Sequence, residues 1–295
     1  MNQTLKSSNQ TGLELSISWN EEFSEPEKTF IPAVFTQVCL PRTIVNEREY
    51  RRRNGEAWLN IQAGSIDSFE GGPIDYPIPY GVLPRLILCD IAAYAKQKKT
   101  KEIYLENSAS KYLKRLGLEN QGTRHQMLNM QLCALAACRL QYGYQGKTFN
   151  GVPIAEFDLG MNCSKSAKKR VWPKSMTLSE DFFRSITDNA VPLDRNALIR
   201  LKGSALALDV YVWAVHRLFR LQKPTKLWWK PLRHQFAPDY SGIDADKNFK
   251  KKFIPALGKV LMAYPQAKIK VIEGGILLLK SPPPISSILA PYKPD

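Results

Sequence analysis

Lys247, Asn248, Lys251, Lys252 and Lys259 fall on or beside one face of a helical pattern that starts at Asp244 or Asp246 and runs toward Tyr264. Phe249, Phe253, Leu257 and Val260 share the opposite face, with Ile254 and Leu261 beside them. At helical periodicity this is an amphipathic helix with its lysines turned outward. Lysines in such a row neutralise phosphates, and an Asn among them can pair bidentately with an adenine edge. The same row on an isolated helix would be an ordinary solvated face, so its surroundings decide. A hairpin over 267–272 and 276–280, turning at Gly274-Gly275, follows the helix and adds Lys268 and Lys270. Pro255 removes one hydrogen bond of the helical ladder and is expected to kink it.

Residues suited to covalent chemistry are poorly placed for it. Gly143-Tyr144-Gln145-Gly146-Lys147-Thr148 has the look of a phosphate loop, but two residues separate its glycines where the motif needs four, and it follows a helix. It reads as a hairpin turn. His125, His216 and His234 are far apart, and no His-x-His pair exists to hold the metal that a nicking enzyme needs beside its tyrosine. Asp239, Asp244 and Asp246 cluster where a helix N-terminus welcomes negative charge. Cys39, Cys89, Cys133, Cys138 and Cys163 lie in apolar segments without the C-x-x-C spacing of a zinc site, which predicts buried free thiols. No catalytic, metal-binding or cofactor-binding residue is expected.

The charge is unevenly spread. The 295 residues carry a net +15. Residues 1–75 hold seven Lys and Arg against eleven Asp and Glu, whereas residues 76–295 hold thirty-five against sixteen. A field of that sign gathers polyphosphate. Hydrophobic residues at 44% exclude wholesale disorder, and the length suits two domains. The N-terminus is polar and no apolar run approaches the ~18 residues of a membrane span, so a cytoplasmic protein is expected.

Residues 1–30 are polar and expected to be flexible, and 31–75 read as an arm of strands and turns. In that arm Arg51-Arg52-Arg53 leads into the tight-turn pair Asn54-Gly55; the run either touches phosphate or forms a solvated turn. After the arm one order of elements occurs twice. In residues 76–175 Pro84 opens a helix, and 103–105 is a short strand. Ser108 or Ser110 caps a short helix that Gly117 ends, and Thr123 caps a longer one. Segments 141–145 and 152–159 then pair as a hairpin. A basic connector at 162–172, a strand near Met176, and helices at 178–186 and after Pro192 lead into the second copy. There Ser204 caps a helix to Leu221, followed by a strand at 226–229, a small helix at 230–236, the lysine-bearing helix and its hairpin. This second unit spans 176–285, and 286–295 is a Pro-rich tail.

Helix, strand, two helices and a hairpin is the order of a winged helix-turn-helix, whose third helix enters a DNA groove. The expected fold class is therefore α+β, mostly helical, with tandem winged helix-turn-helix domains. The third helix of the first unit is apolar nearly all round, so only Arg124, His125 and Asn129 at its start could reach a duplex. The first unit is expected to hold DNA backbone or a partner subunit, and the second to read sequence.

The residues also carry a family resemblance. Pro79-Tyr80-Gly81 with Pro84-Arg85-Leu86, Tyr112-Leu113, Leu116-Gly117-Leu118, and Leu128 with Gln131-Leu132 and Leu135 resemble the plasmid-encoded RepA replication initiators of Gram-negative bacteria. The similarity continues through Leu178-Ser179-Glu180, Phe182-Phe183, Val191-Pro192-Leu193, and Ala207-Leu208-Asp209 with Tyr211 and Trp213. It ends with Phe236, Asp239-Tyr240, Phe249, Phe253, Leu257, Val260 and Tyr264-Pro265. Two positions depart: Ala134 stands where the family has a basic residue, and Pro255 is unusual.

The resemblance implies binding to repeated double-stranded DNA sites at a plasmid origin, duplex opening, and recruitment of the host replication initiator and helicase. It places the protein in the bacterial cytoplasm, with a homodimer among its states and no membrane partner. Composition and spacing alone support only the DNA binding. The alternative is a transcriptional repressor of the same architecture. An enzyme, a nickase or primase, would need a metal cluster that the sequence does not offer.

Overall fold

The computed structural model describes residues 27–68, 72–157 and 172–285 and is a mixed α+β molecule with more helix than strand. Of the N-terminal segment expected to be flexible, residues 1–26 fall outside these residues, and the end of it is corrected: Lys28, Thr29 and Phe30 belong to a strand, with Thr29 and Phe30 buried. Most of the basic connector with Cys163 and the Pro-rich tail also lie outside the described residues.

The first described elements are β1 (Lys28–Pro32) and a buried 3-10 turn at Ala33–Thr36. The hairpins β2 (Glu49–Asn54) with β3 (Ala57–Gln62) and β4 (Ser65–Ser68) with β5 (Gly72–Asp75) follow. The first unit is α1 (Val82–Lys98), β6 (Glu102–Tyr104), α2 (Ala109–Arg115), α3 (Gly122–Ala137), β7 (Arg139–Tyr144), β8 (Lys147–Gly151), β9 (Ile154–Phe157) and β10 (Ser175–Leu178). Three elements join the units: α4 (Glu180–Asn189), β11 (Ala190–Asp194) and α5 (Arg195–Leu201). The second unit is α6 (Ala205–Arg220), β12 (Thr225–Trp228), α7 (Trp229–Phe236), α8 (Ala245–Ala263), β13 (Ile269–Ile272) and β14 (Gly275–Leu278).

Each unit carries a three-stranded antiparallel sheet of the same connectivity. The strand after the first helix pairs with the last strand, which pairs with the middle one: β6-β10-β9 in the first unit and β12-β14-β13 in the second. Side-chain caps start several of the helices. Ser108, Ser179 and Ser204 accept from the backbone N–H three residues on, satisfying donors that have no partner inside the helix. Two expected starts are corrected. The α1 helix opens at Val82, which places Pro84 inside its first turn, and α3 opens at Gly122 after Gln121 rather than behind a Thr123 cap.

The expected hairpin of the first unit is also corrected. Segment 141–145 does not pair with 152–159; β7 folds onto β8 through Gln145-Gly146, both at positive φ, and pairs with β3 on its other side. Such a two-residue turn matches the twist of the strands. It brings the Tyr142 and Phe149 rings into a stack with centroids 5.0 Å apart on the core side. The result is a four-stranded sheet, β2-β3-β7-β8, shared between the arm and the first unit. The β9 strand instead pairs with β10, where Ile154, Met176 and Leu178 are buried together with Ile103 of β6. The strand near Met176 therefore lies in the first unit's sheet and not at the head of the second unit.

The two units share one continuous core, and α6 lies inside it. Every residue from Leu206 to His216 is buried, because one side of α6 faces its own unit while the other faces the arm and α1. Tyr211 and Trp213 meet Tyr264 and Phe236 edge to face on the first side. On the other, Leu208 and Val212 border the same small apolar cavity as Phe35, Val38 and Leu86. Arg85 of α1 and Asp209 of α6 form a buried bidentate pair at 2.7 and 2.8 Å. The remaining Arg85 protons go to the carbonyls of Leu40, Pro41 and Gly81. One guanidinium thus holds the arm and the first helix of each unit. Arm strand β1 pairs with β11, which strengthens the same joint.

Candidate nucleic-acid interface

The α8 helix has one buried side and one solvated side. Phe249, Phe253, Leu257 and Val260 are buried, with Ala256 between them, and Phe253 lies in a cluster of rings from Trp229, Phe236 and Phe249. Burial of this stripe fixes the rotation of the helix and presents Lys247, Asn248, Lys251, Lys252 and Lys259 to solvent. Asn248 makes no side-chain hydrogen bond, and Lys251, Lys252 and Lys259 have no acidic partner among the described residues. Lys247 lies 3.6 Å from Asp244, an exposed pair worth little. Arg233 of α7 binds Asp246, so that carboxylate is neutralised at the otherwise basic start of α8. Pro255 sits on the exposed side, and α8 continues through it to Ala263.

Lys268 and Lys270 are exposed on and just before β13, beyond the far end of α8 from Lys247. Lys270 stands opposite Leu277, which stands opposite Lys226 of β12. The Lys226 ammonium lies 3.8 Å from the centroid of the half-exposed Trp228 ring. Across from Trp228 the turn needs Gly274, at φ 77°, because a Cβ there would come within 2.6 Å of the indole. Neither this Lys226–Trp228 pair nor Lys250, whose ammonium lies 5.5 Å from the Trp229 ring centroid, stands out in the sequence. The short Lys-x-Trp and Gly-Gly segments were the available signals; their partnership depends on strand register.

The candidates of the first unit are differently placed. Arg124, His125 and Asn129 lie in the first half of α3 and are only partly exposed. Arg124 lies 3.6 Å from Glu119, and His125 contacts Asn120 and lies 3.4 Å from Ser110 Oγ. These contacts brace the turn between α2 and α3. The rest of α3 is packed: Leu128, Leu132, Cys133, Ala134 and Leu135 are buried, and the buried Gln131 carboxamide accepts from the Tyr80 N–H at 2.9 Å. The lysine row and the α3 group sit on different units. The fixed α1–α6 joint determines how they are presented together.

Among the described residues, no group of three or more His, Cys, Asp and Glu could hold a metal ion, and no helix is long and apolar enough to cross a membrane. Cys39, Cys89, Cys133 and Cys138 are buried thiols outside any disulfide. Burial pushes the thiols of Cys39, Cys89 and Cys138 upward in pKa, away from thiolate reactivity.

The family model described as plasmid encoded RepA protein matches residues 78–228, about half of the chain. The chain belongs to this family of plasmid-encoded RepA replication initiators. Its fold is similar to a crystal structure of selenomethionine derivatives of RctB domains 2 and 3, with a TM-score of 0.53 at 11% identity over 85% of this chain and 98% of that one. A second crystal structure of RctB domains 2-3 gives a TM-score of 0.49 at 11% identity, over 83% and 94% of the two chains. No curated protein matches the chain.

Proposed function

We propose that this chain initiates plasmid replication by binding repeated double-stranded DNA sites at the origin through two winged helix-turn-helix units. In this reading α3 and α8 are the third helices of the two units, and β9–β10 and β13–β14 are their wings. The first unit comprises 76–178, the second comprises 202–285, and 179–201 joins them, with 31–75 as an arm built onto the first. The observation that carries the reading is the repeated order of helix, strand and two helices, closed in each unit by a strand pair of the same connectivity, β9–β10 after the intervening β7–β8 hairpin in the first unit and β13–β14 in the second. In such a unit the third helix is the one that enters a major groove, and α8 keeps an exposed side for it.

The second unit reads sequence. Asn248 contacts a base edge; Lys247, Lys251, Lys252 and Lys259 contact phosphates, with Lys268 and Lys270 adding wing contacts. The first unit positions backbone through Arg124, His125 and Asn129, and its packed third helix leaves it available for self-association. Duplex opening and recruitment of the host initiator and helicase then follow without covalent chemistry by this chain.

The test compares full-length protein on an origin repeat with a scrambled duplex of equal length. Replacing Asn248 by Ala should cost about 1–3 kcal/mol on the repeat and little on the scrambled duplex. Equal loss on both removes the base-reading role. An origin with tandem direct repeats beside an AT-rich stretch supports initiation; binding confined to one inverted repeat over a promoter would instead support a repressor.

A further inference from the structure

The β2-β3-β7-β8 sheet has no counterpart in the second unit, where α8 leads straight to β13. Its inner side faces the core through residues such as Leu59, Ile61 and Tyr142, so alternation of the strands sends their neighbours to the outer side. Two strands of this face come from the arm, outside the residues matched by the family model.

Cross-strand register builds the outer face in rows. In one row Arg53 stands opposite Trp58, and Trp58 opposite Gly143. A Cβ on Gly143 would come within 2.1 Å of Trp58 Nε1, so the glycine lets the indole lie along the sheet. In the next row Arg51 stands opposite Asn60, and a ladder of amides continues from there. Asn60 Nδ2 donates to Gln141 Oε1 at 3.1 Å, and Gln141 Nε2 donates to Asn150 Oδ1 at 2.9 Å. Arg139 Nη2 donates to the same Asn150 oxygen at 2.9 Å. The ladder holds these side chains in place before any ligand arrives.

The charge of this face is one-sided. Arg51, Arg53 and Arg139 are exposed, and among the described residues the acidic side chain on this face is Glu49, 2.8 Å from Arg51. Arg53 and Arg139 have no carboxylate partner among the described residues. From the inner side Arg52 Nη2 donates to both carboxylate oxygens of Asp239, at 2.7 and 2.8 Å. Asp239 lies in the loop leading into α8, so the sheet is clamped beside the start of the lysine-bearing helix.

We propose that this outer sheet face is an additional duplex-DNA contact, which takes the phosphodiester backbone flanking the site read by α8. Guanidinium groups on a fixed, flat, polar surface suit phosphate oxygens, and the amide ladder offers further donors. The inference rests on the reading of α8 given above.

The test uses full-length protein and two duplexes, one carrying only the repeat and one extended by about ten base pairs on each side. Wild-type protein should bind the extended duplex more tightly. The variant R51A/R53A/R139A should lose that gain while binding the short duplex as wild type does. Counterion release alone predicts about a fivefold loss per phosphate contact at 0.15 M salt, hence about a hundredfold for three. The slope of log affinity against log salt should fall by about 3 on the extended duplex. Thr148→Lys, which adds a cation to the same face, should strengthen binding to the extended duplex. The proposal is overturned if neither variant changes binding to the extended duplex, or if wild type gains nothing from the flanks. It is equally overturned if only single-stranded flanks give the gain. Failure of wild type to prefer the short repeat over a scrambled duplex would be a failure of the α8 reading, a separate outcome.

Discussion

Removing the Asp209 carboxylate tests whether one buried ion pair fixes the two units relative to each other. Arg85 and Asp209 side chains are 6% and 8% exposed, so neither charge is appreciably screened by water. Asp209→Ala leaves the guanidinium with its carbonyl acceptors at Leu40, Pro41 and Gly81 but without a counter-charge. Breaking such a pair from one side costs about 3–5 kcal/mol, because the surviving charge stays desolvated. Replacing both residues, as Arg85→Met with Asp209→Leu, removes the charge problem but deprives three carbonyls of donors. At about 1–3 kcal/mol for each acceptor that stays dry, the double variant should still be destabilised, by less than the sum of the single changes. Urea unfolding of wild type, both single variants and the double variant gives the coupling energy directly. A loss below about 1 kcal/mol for Asp209→Ala, or strict additivity in the cycle, would refute the claim that this pair is the joint.

Three other outcomes follow from the same packing. Desolvation, with Arg220 and Arg217 nearby, lowers the His216 pKa from 6.5 to about 3, so the folded state holds the ring neutral between Gln37 and Tyr144. Because the folded pKa lies below the unfolded one, its contribution is complete above about pH 6.5 and is lost as pH falls toward 3, at up to about 1.4 kcal/mol per pH unit. His216→Gln should flatten that part of a stability–pH profile; an unchanged profile assigns the slope elsewhere. Phe253→Ala empties the centre of the ring cluster that seats α8, at a cost of about 3–5 kcal/mol, and thermal melting reads it. A fragment beginning at Pro192 uncovers Leu208, Val212 and His216 and leaves β11 without β1, so it should be poorly folded by circular dichroism. A cooperatively melting fragment would show that α6 does not need the arm.

The local parts of this architecture were legible because local chemistry specifies them. Ser204 before an apolar run, Pro224 after it, and Gly274-Gly275 between two β-rich segments act within a few residues. Helical period gave the buried stripe of α8 and the packed character of α3. Pairing between distant strands was not legible. Ser175–Leu178 looks the same in sequence whether it pairs with β6 or starts a new unit, and its choice depends on Ile103, more than seventy residues away. The turn at Gly146 was legible, but the strand that follows it was not: 147–151 rather than 152–159 pairs with β7, because the sequence does not show where the returning strand ends. The Arg51-Arg52-Arg53 run shows the effect at single-residue scale. Strand alternation turns Arg52 inward to Asp239 and its neighbours outward, which a count of charges does not reveal.

The joint between the units bears on the division of work proposed for them. An exposed row of lysines gives affinity wherever phosphates are found, and a single helix of this kind discriminates weakly. Specific recognition of a longer site requires a second contact at a fixed distance, so that only DNA with matching spacing engages both. A flexible linker would provide avidity but would tolerate many spacings. Here α1 and α6 are bound by Arg85 and Asp209, the arm crosses both units through β1–β11 and Arg52–Asp239, and His216 ties α6 to β7. Each tie passes through a buried or half-buried polar group whose geometry is narrower than that of an apolar contact. Such a joint resists small rotations of one unit against the other. Changes at the joint, remote from every lysine of α8, should therefore weaken binding to a full site more than binding to a half site.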